Sequence, residues 1–226
     1  MTSSFVTDFN PSIDDIIEEA YDRLGQSLSG GYQLRKAKRS LNYVLTHMAN
    51  RGLNTFTLEE RTLPLVQAQA SYNLEADIVD IAEATVRNAN DRDIQLHRMS
   101  LPEYTSISTK DTSALPSRYY LYRQSSPRLV LWPVPDLSTY TLYYYVWRRL
   151  HDAGGFDNTA DVPFRYYDVL ASGLAYRLAM KQPTLDANRI KMLKADYDET
   201  LNQAEAEDRD RSTMTVYPGL DSYTRV

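Results

Sequence analysis

RLVLWPVPDLSTYTLYYYVWR, residues 128–148, decides the architecture of this chain. Residues 128–132 and 139–148 are rich in Leu, Val, Thr and Tyr, which suit a pleated, half-buried backbone. Trp132-Pro133-Val134-Pro135-Asp136 separates them. Two prolines cannot sit inside a paired central strand, so the chain must leave the sheet there and return at Thr139. Segments of similar composition, punctuated by turn residues, occur at 55–66, 71–74, 77–88 and 118–123, so the whole middle of the chain reads as strands. Within it, Leu101-Pro102-Glu103-Tyr104 predicts a short helix start that leads into a polar loop up to Pro116.

Outward from this β-rich middle the period changes. On the N-terminal side Ser12 is placed to cap a helix, with Asp14, Asp15, Glu18 and Glu19 biasing negative charge towards its first turns. Ile13, Ile16, Ile17, Ala20, Tyr21 and Leu24 form its apolar stripe, and Gly25 fits the left-handed position that ends it. After a Ser/Gly connector at 27–31, a second stripe runs through Leu34, Ala37, Leu41, Val44, Leu45 and Met48 and closes at Arg51-Gly52. So short a linker predicts an antiparallel hairpin. On the C-terminal side, past the 152–160 loop, Asp161 and Pro163 predict a helix opening, with Phe164, Tyr167, Leu170, Leu174 and Leu178 on one face. Pro183-Thr184 breaks that helix, and a final one carries Ile190, Leu193, Tyr197, Leu201 and Ala204.

Helix pair, strands, helix pair is an α+β order. It predicts an antiparallel helical bundle formed by the N- and C-terminal pairs, residues 1–53 plus 161–211, with an inserted antiparallel β domain at 54–160. Residues 212–226, polar apart from Met214, Val216, Tyr217, Leu220 and Tyr223, are expected to form an extended C-terminal tail.

Composition narrows the chemistry. The 226 residues carry a formal net charge of −5, which disfavours holding nucleic acid by neutralising many phosphates. Cysteine is absent, which excludes disulfides, Cys-ligated metals and thiol nucleophiles. No apolar run reaches the ~20 residues of a membrane span, and residues 1–11 lack the layout of a secretory signal, so a soluble protein made in the cytoplasm is expected. Tyrosine supplies 18 residues; this amphipathic side chain suits both strand interiors and surfaces half buried against another chain.

No reaction centre emerges. His47, His97 and His151 have no i, i+3 or i, i+4 spacing, so no helical two-His metal face is expected. Ser29-Gly30-Gly31 and Gly154-Gly155 lack the strand and lysine of a phosphate cradle. Glu59 and Glu60 are adjacent in a strand and point to opposite faces, so they cannot act as a pair. No catalytic residue, metal or cofactor is expected. Two charge runs stand out instead. Asp14, Asp15, Glu18, Glu19 and Asp22 share the outer face of the first helix, and Arg35, Lys36, Lys38 and Arg39 crowd the second. The basic run reads either as a nucleic-acid patch or as the complement of the acidic helix, in the same hairpin or a neighbouring copy; the acidic balance favours the second.

The succession of motifs resembles the head-to-tail adaptor (connector, tail tubular A-like) proteins of tailed, especially short-tailed, bacteriophages. The resemblance is carried by the helical hairpin ending at Arg51-Gly52-Leu53, by Thr55-Phe56-Thr57-Leu58 as the first strand, and by Ala70-Ser71-Tyr72-Asn73-Leu74 leading to Asp77-Ile78-Val79-Asp80-Ile81. Pro116-Ser117-Arg118-Tyr119-Tyr120, residues 129–136 and Tyr140 to Tyr145 follow, then Val162-Pro163 and Ala171-Ser172-Gly173-Leu174-Ala175. It spans roughly residues 12–205, in order.

The resemblance implies a non-enzymatic structural virion protein. Its copies, usually twelve, would form a ring beneath the portal of the capsid vertex, extend the DNA channel without sequence-specific binding, and dock the tail nozzle and fibres. On that footing the acidic residues are expected to face the channel or a neighbouring subunit, the channel placement being the hypothesis adopted because carboxylates repel phosphates. Arg35, Lys36, Lys38 and Arg39 are expected at a subunit or portal contact. Tyr217, Leu220 and Tyr223 are expected to anchor the tail on a neighbour or the portal. Other neck components, a stopper or tail-completion protein, are the alternative within structural proteins. A virion-associated peptidoglycan hydrolase is the alternative from another class, and it would need two carboxyl groups converging at ~5–9 Å.

Overall fold

The computed structural model describes residues 9–28, 30–52 and 55–208. Helices α1 (Ile13–Leu24) and α2 (Gly31–Asn50) open the chain. The middle holds β1 (Leu58–Pro64), β2 (Ser71–Asn73), β3 (Ile78–Arg87), β4 (Asp93–Gln95), β5 (His97–Arg98), the short helix α3 (Leu101–Ser106), β6 (Arg118–Tyr122), β7 (Arg128–Trp132) and β8 (Thr141–Arg148). Helices α4 (Tyr167–Ala179) and α5 (Ala187–Glu207) close it. The fold is α+β, with five helices among the described residues.

The caps explain where the first helix begins and ends. Ser12 Oγ accepts from the Asp15 N–H at 3.2 Å while Asp15 Oδ2 accepts from the Ser12 N–H at 2.8 Å, a reciprocal capping box. The loop after β8 supplies two further acceptors, since the N–H groups of Ile13 and Asp14 reach the carbonyls of Asn158 and Phe156. Gly25 ends the helix at φ 72°, where a side chain would be strained. Replacing Ser12 with Ala should cost about 1 kcal/mol, read as a lowered midpoint in denaturant at unchanged slope.

Two four-stranded sheets occupy the middle, ordered β1-β8-β3-β4 and β2-β7-β6-β5. In β8, Leu142, Tyr144 and Val146 are buried while Tyr145 on the opposite face is exposed, the alternation expected of a strand with one face on a core. Those residues meet Tyr119, Leu121, Leu129 and Leu131 of the second sheet in one cluster. Asp80 on β3 ties the sheets together at their rim, 3.0 Å from Arg98 and 3.6 Å from Arg123.

Four expectations are corrected. Thr55–Thr57 form a 3-10 turn, and the first strand starts only at Leu58. β4 and β5, absent from the sequence reading, are short and largely exposed, so they show no apolar alternation. β5 pairs with β6 in parallel, so the β part is not wholly antiparallel; α3 and its following loop make the crossover. Asp161 does not cap a helix: its carboxylate is held by Arg148 and the His151 N–H, and Pro163 opens a 3-10 turn (Phe164–Tyr166) that leaves Phe164 78% exposed before α4 starts.

A second cluster gathers buried residues of α1, α2, α4 and α5, among them Ile17, Leu41, Leu170, Leu174 and Leu201. Leu150, Ala153 and Ala160, from the segment after β8, are buried in this helical cluster too. Helix α4 packs against α1, α2 and α5, and every residue from Val169 to Ala175 is buried. Gly173 lies at its closest approach to Val44 and Tyr197.

Candidate interaction surfaces

The acidic face of α1 is split by its hydrogen bonds. Asp15 is committed to the cap, and its hydrogen bonds with the Ser12 side chain and backbone lower its pKa. Glu19 accepts from Arg23 Nε at 2.8 Å. Arg23 also reaches Asp168 Oδ1 of α4 at 2.5 Å and Asp196 Oδ2 of α5 at 3.4 Å, so one guanidinium joins three helices. Asp14 is half-buried, with Oδ1 enclosed and unbonded. Glu18 and Asp22 are exposed and make no ion pair or side-chain hydrogen bond among the described residues. An open groove of about 600 Å3 runs between α1 and α4, bordered by Phe9, Asp15, Glu19, Arg23 and Asp168.

Among the described residues, no ion pair joins Arg35, Lys36, Lys38 or Arg39 to an α1 carboxylate, so the hairpin does not neutralise itself. Instead Lys36 lies over the Tyr32 ring at 4.3 Å and Lys38 over the Phe156 ring at 5.3 Å. Folding adds two cations that the sequence reading missed. Lys181, just beyond α4, donates to Ser40 Oγ at 2.5 Å, and burial together with Arg39, Arg177 and Lys36 lowers its pKa. The signal that could have found them is the spacing of Arg177 and Lys181, one helical turn apart next to Pro183.

Many tyrosines have partners inside the chain. Tyr72, Tyr119, Tyr140 and Tyr144 fill the core between the sheets. Tyr104 of α3 stacks on Tyr120 with centroids 5.4 Å apart, Tyr122 meets Tyr120 edge-on at 4.7 Å, and Arg128 covers Tyr122 at 4.4 Å. This ladder fastens α3 to the outer face of the second sheet. Tyr145 remains exposed on the first. The expected tail anchors Tyr217, Leu220 and Tyr223 lie outside the described residues.

The three histidines sit on α2, on β5 and in the loop after β8. His47 Nδ1 lies 2.9 Å from the Tyr197 hydroxyl, and burial with Arg177 and Arg51 nearby lowers its pKa. Among the described residues no group of three or more His, Asp or Glu side chains is placed to hold a metal ion, and no helix is long and apolar enough to cross a membrane. Carboxylates do converge, but on arginines: Arg61 gathers Glu59, Glu75 and Asp77, and Arg148 gathers Glu59 and Asp161. Where a carboxylate's pKa is displaced it moves downward, at Asp15, Glu59, Asp93, Glu103 and Asp161. That is the reverse of what a general acid needs.

Residues 6–219, nearly the whole chain, match the SU10 adaptor protein family, and the chain belongs to it. This is a family of phage head-to-tail adaptors, so the protein is a structural adaptor of a phage. Membership implies a place in the virion neck and association with other neck proteins. No curated protein matches the chain.

Proposed function

We propose that the protein forms a ring of about twelve copies, the number the resemblance implies, beneath the portal. There it extends the DNA channel and docks the nozzle and fibres of a short-tailed, tail tubular A-like machine. The near-full-length match to the adaptor family carries this reading. Support comes from the exposed charged faces of both signs, because a ring subunit needs two different lateral surfaces. We divide the subunit into a helical part, residues 1–53 plus 161–211, and an inserted β part, 54–160, whose ends at Phe56 and at Leu150, Ala153 and Ala160 pack on the helices. The face from Asp14 to Asp22 belongs to the channel or a subunit contact, and Arg35, Lys36, Lys38 and Arg39 belong to a neighbouring subunit or the portal. DNA passes without sequence-specific binding, and no catalysis is required.

Mixing purified protein with portal rings and imaging the product tests this directly. A second ring stacked on the portal is expected; portals that stay bare at saturating protein would count against it. Removing residues 212–226 should leave the melting temperature of the subunit within about 2 °C, because the helical and β cores remain, while lowering the fraction of capped portals several-fold. Equal capping by the shortened chain would remove the anchoring role of Tyr217, Leu220 and Tyr223. A zymogram with cell-wall substrate separates the adaptor from a hydrolase: no clearing is expected.

A further inference from the structure

Two faces of the helical part carry charge that no described residue neutralises. Lys36 and Arg39 on α2, Arg177 on α4 and Lys181 beyond it form one cationic cluster, in which Lys181 donates to the buried Ser40 hydroxyl. None of the four has a carboxylate partner among the described residues. On α1, Glu18 and Asp22 are exposed and equally unpaired among the described residues. Among the described residues no ion pair joins these two faces within one subunit.

We propose that Lys36, Arg39, Arg177 and Lys181 receive the Glu18/Asp22 face of α1 from a second copy of this chain. The inference rests on the ring reading above and assigns the acidic face to the subunit contact. Two different patches, one acidic and one basic, give a head-to-tail contact, the kind that closes into a ring when repeated. Exposed pairs contribute only about 0.2–1 kcal/mol each, so the charges set register and partner choice, while neighbouring apolar surface such as Tyr32, 64% exposed beside Lys36, supplies area. An acidic protein surface fits better than a nucleic acid because the chain carries net charge −5 and offers its own matching carboxylates.

The cysteine-free sequence makes a covalent test clean. Glu18→Cys and Lys36→Cys variants, alone and mixed, are assembled on portal and treated with a short bis-maleimide. A cross-linked pair is expected only in the mixture, and the double variant should give a ladder of covalent oligomers. Rings that are intact by electron microscopy yet yield no cross-link overturn this contact and leave the ring reading standing. Failure of the wild-type chain to form any ring overturns both. In parallel, Lys36→Glu with Arg39→Glu should lower the assembled fraction roughly tenfold, and Glu18→Lys with Asp22→Lys in the same chain should restore it. Unchanged assembly with lost retention of duplex DNA would make nucleic acid the occupant and contradict the proposal.

Discussion

Gly173→Leu is expected to leave the chain without a stable helical core. A Cβ at 173 would lie 2.7 Å from Cε2 of Tyr197, closer than packed carbons tolerate, and 3.1 Å from Cγ1 of Val44, a tight contact. Tyr197 and Val44 are both buried in the cluster that α4 crosses, so any retreat would press on other packed side chains. Overpacking by single methylenes already costs about 1–3 kcal/mol, and leucine adds a whole branched side chain, against a total stability of about 5–15 kcal/mol. The measurement is far-UV circular dichroism with thermal melting, and loss of the cooperative transition is the expected result. Gly173→Ala separates sterics from helix propensity. It gains up to about 1 kcal/mol of propensity and loses more by displacing the Tyr197 ring, so a drop of about 2–6 °C is expected. An alanine variant that melts higher than wild type would show that Tyr197 moves freely.

The second large effect concerns Arg148, which links the end of β8 to β1 and to the segment entering the helical cluster. Its Nε donates to Glu59 Oε1 at 2.6 Å, and its NH1 and NH2 groups donate to Asp161 at 2.5 and 2.9 Å. The side chain is 11% exposed, so Arg148→Met removes a largely desolvated partner from two carboxylates. About 2–3 kcal/mol should be lost near neutral pH, less than for a fully buried pair because Glu59 is partly in water. The loss depends on pH. The hydrogen bond from Arg148 heads the causes that lower Glu59; burial acts to raise Asp161 but is outweighed by Arg148 and the His151 N–H. Both folded pKa values are depressed, so their stabilisation is complete above the ordinary carboxylate range of about 4 and disappears as pH falls through the lowered values. Wild type and variant should therefore differ most at neutral pH and converge in acid. An equal difference at both would mean that Arg148 acts through packing alone.

Local signals read well from the sequence where one residue decides the geometry. Ser12 and Gly25 bound α1, Leu101-Pro102-Glu103-Tyr104 opens α3, and the double proline after Trp132 ends β7. What escaped depends on tertiary context. Thr55-Phe56-Thr57 has strand-like composition, yet Phe56 packs against the helical cluster and tilts to Tyr166, which suits a turn leaving the helices. β4 and β5 exist because neighbouring strands offer edges, not because their own residues alternate. The charged faces were legible as runs, but not their division. Only the folded chain shows that Asp15 is spent on a cap, that Glu19 is tied to Arg23, and that Arg177 and Lys181 join Lys36 and Arg39. The tyrosine excess likewise suggested an interface, and much of it is spent inside the β part and on the ladder that holds α3.

The most direct test of the adaptor role is a reconstruction of the phage neck by electron cryomicroscopy. The account predicts a ring immediately below the portal, each subunit showing the four long helices beside the two four-stranded sheets. Density of another shape in that position, with this fold found elsewhere in the particle or missing from it, would contradict it.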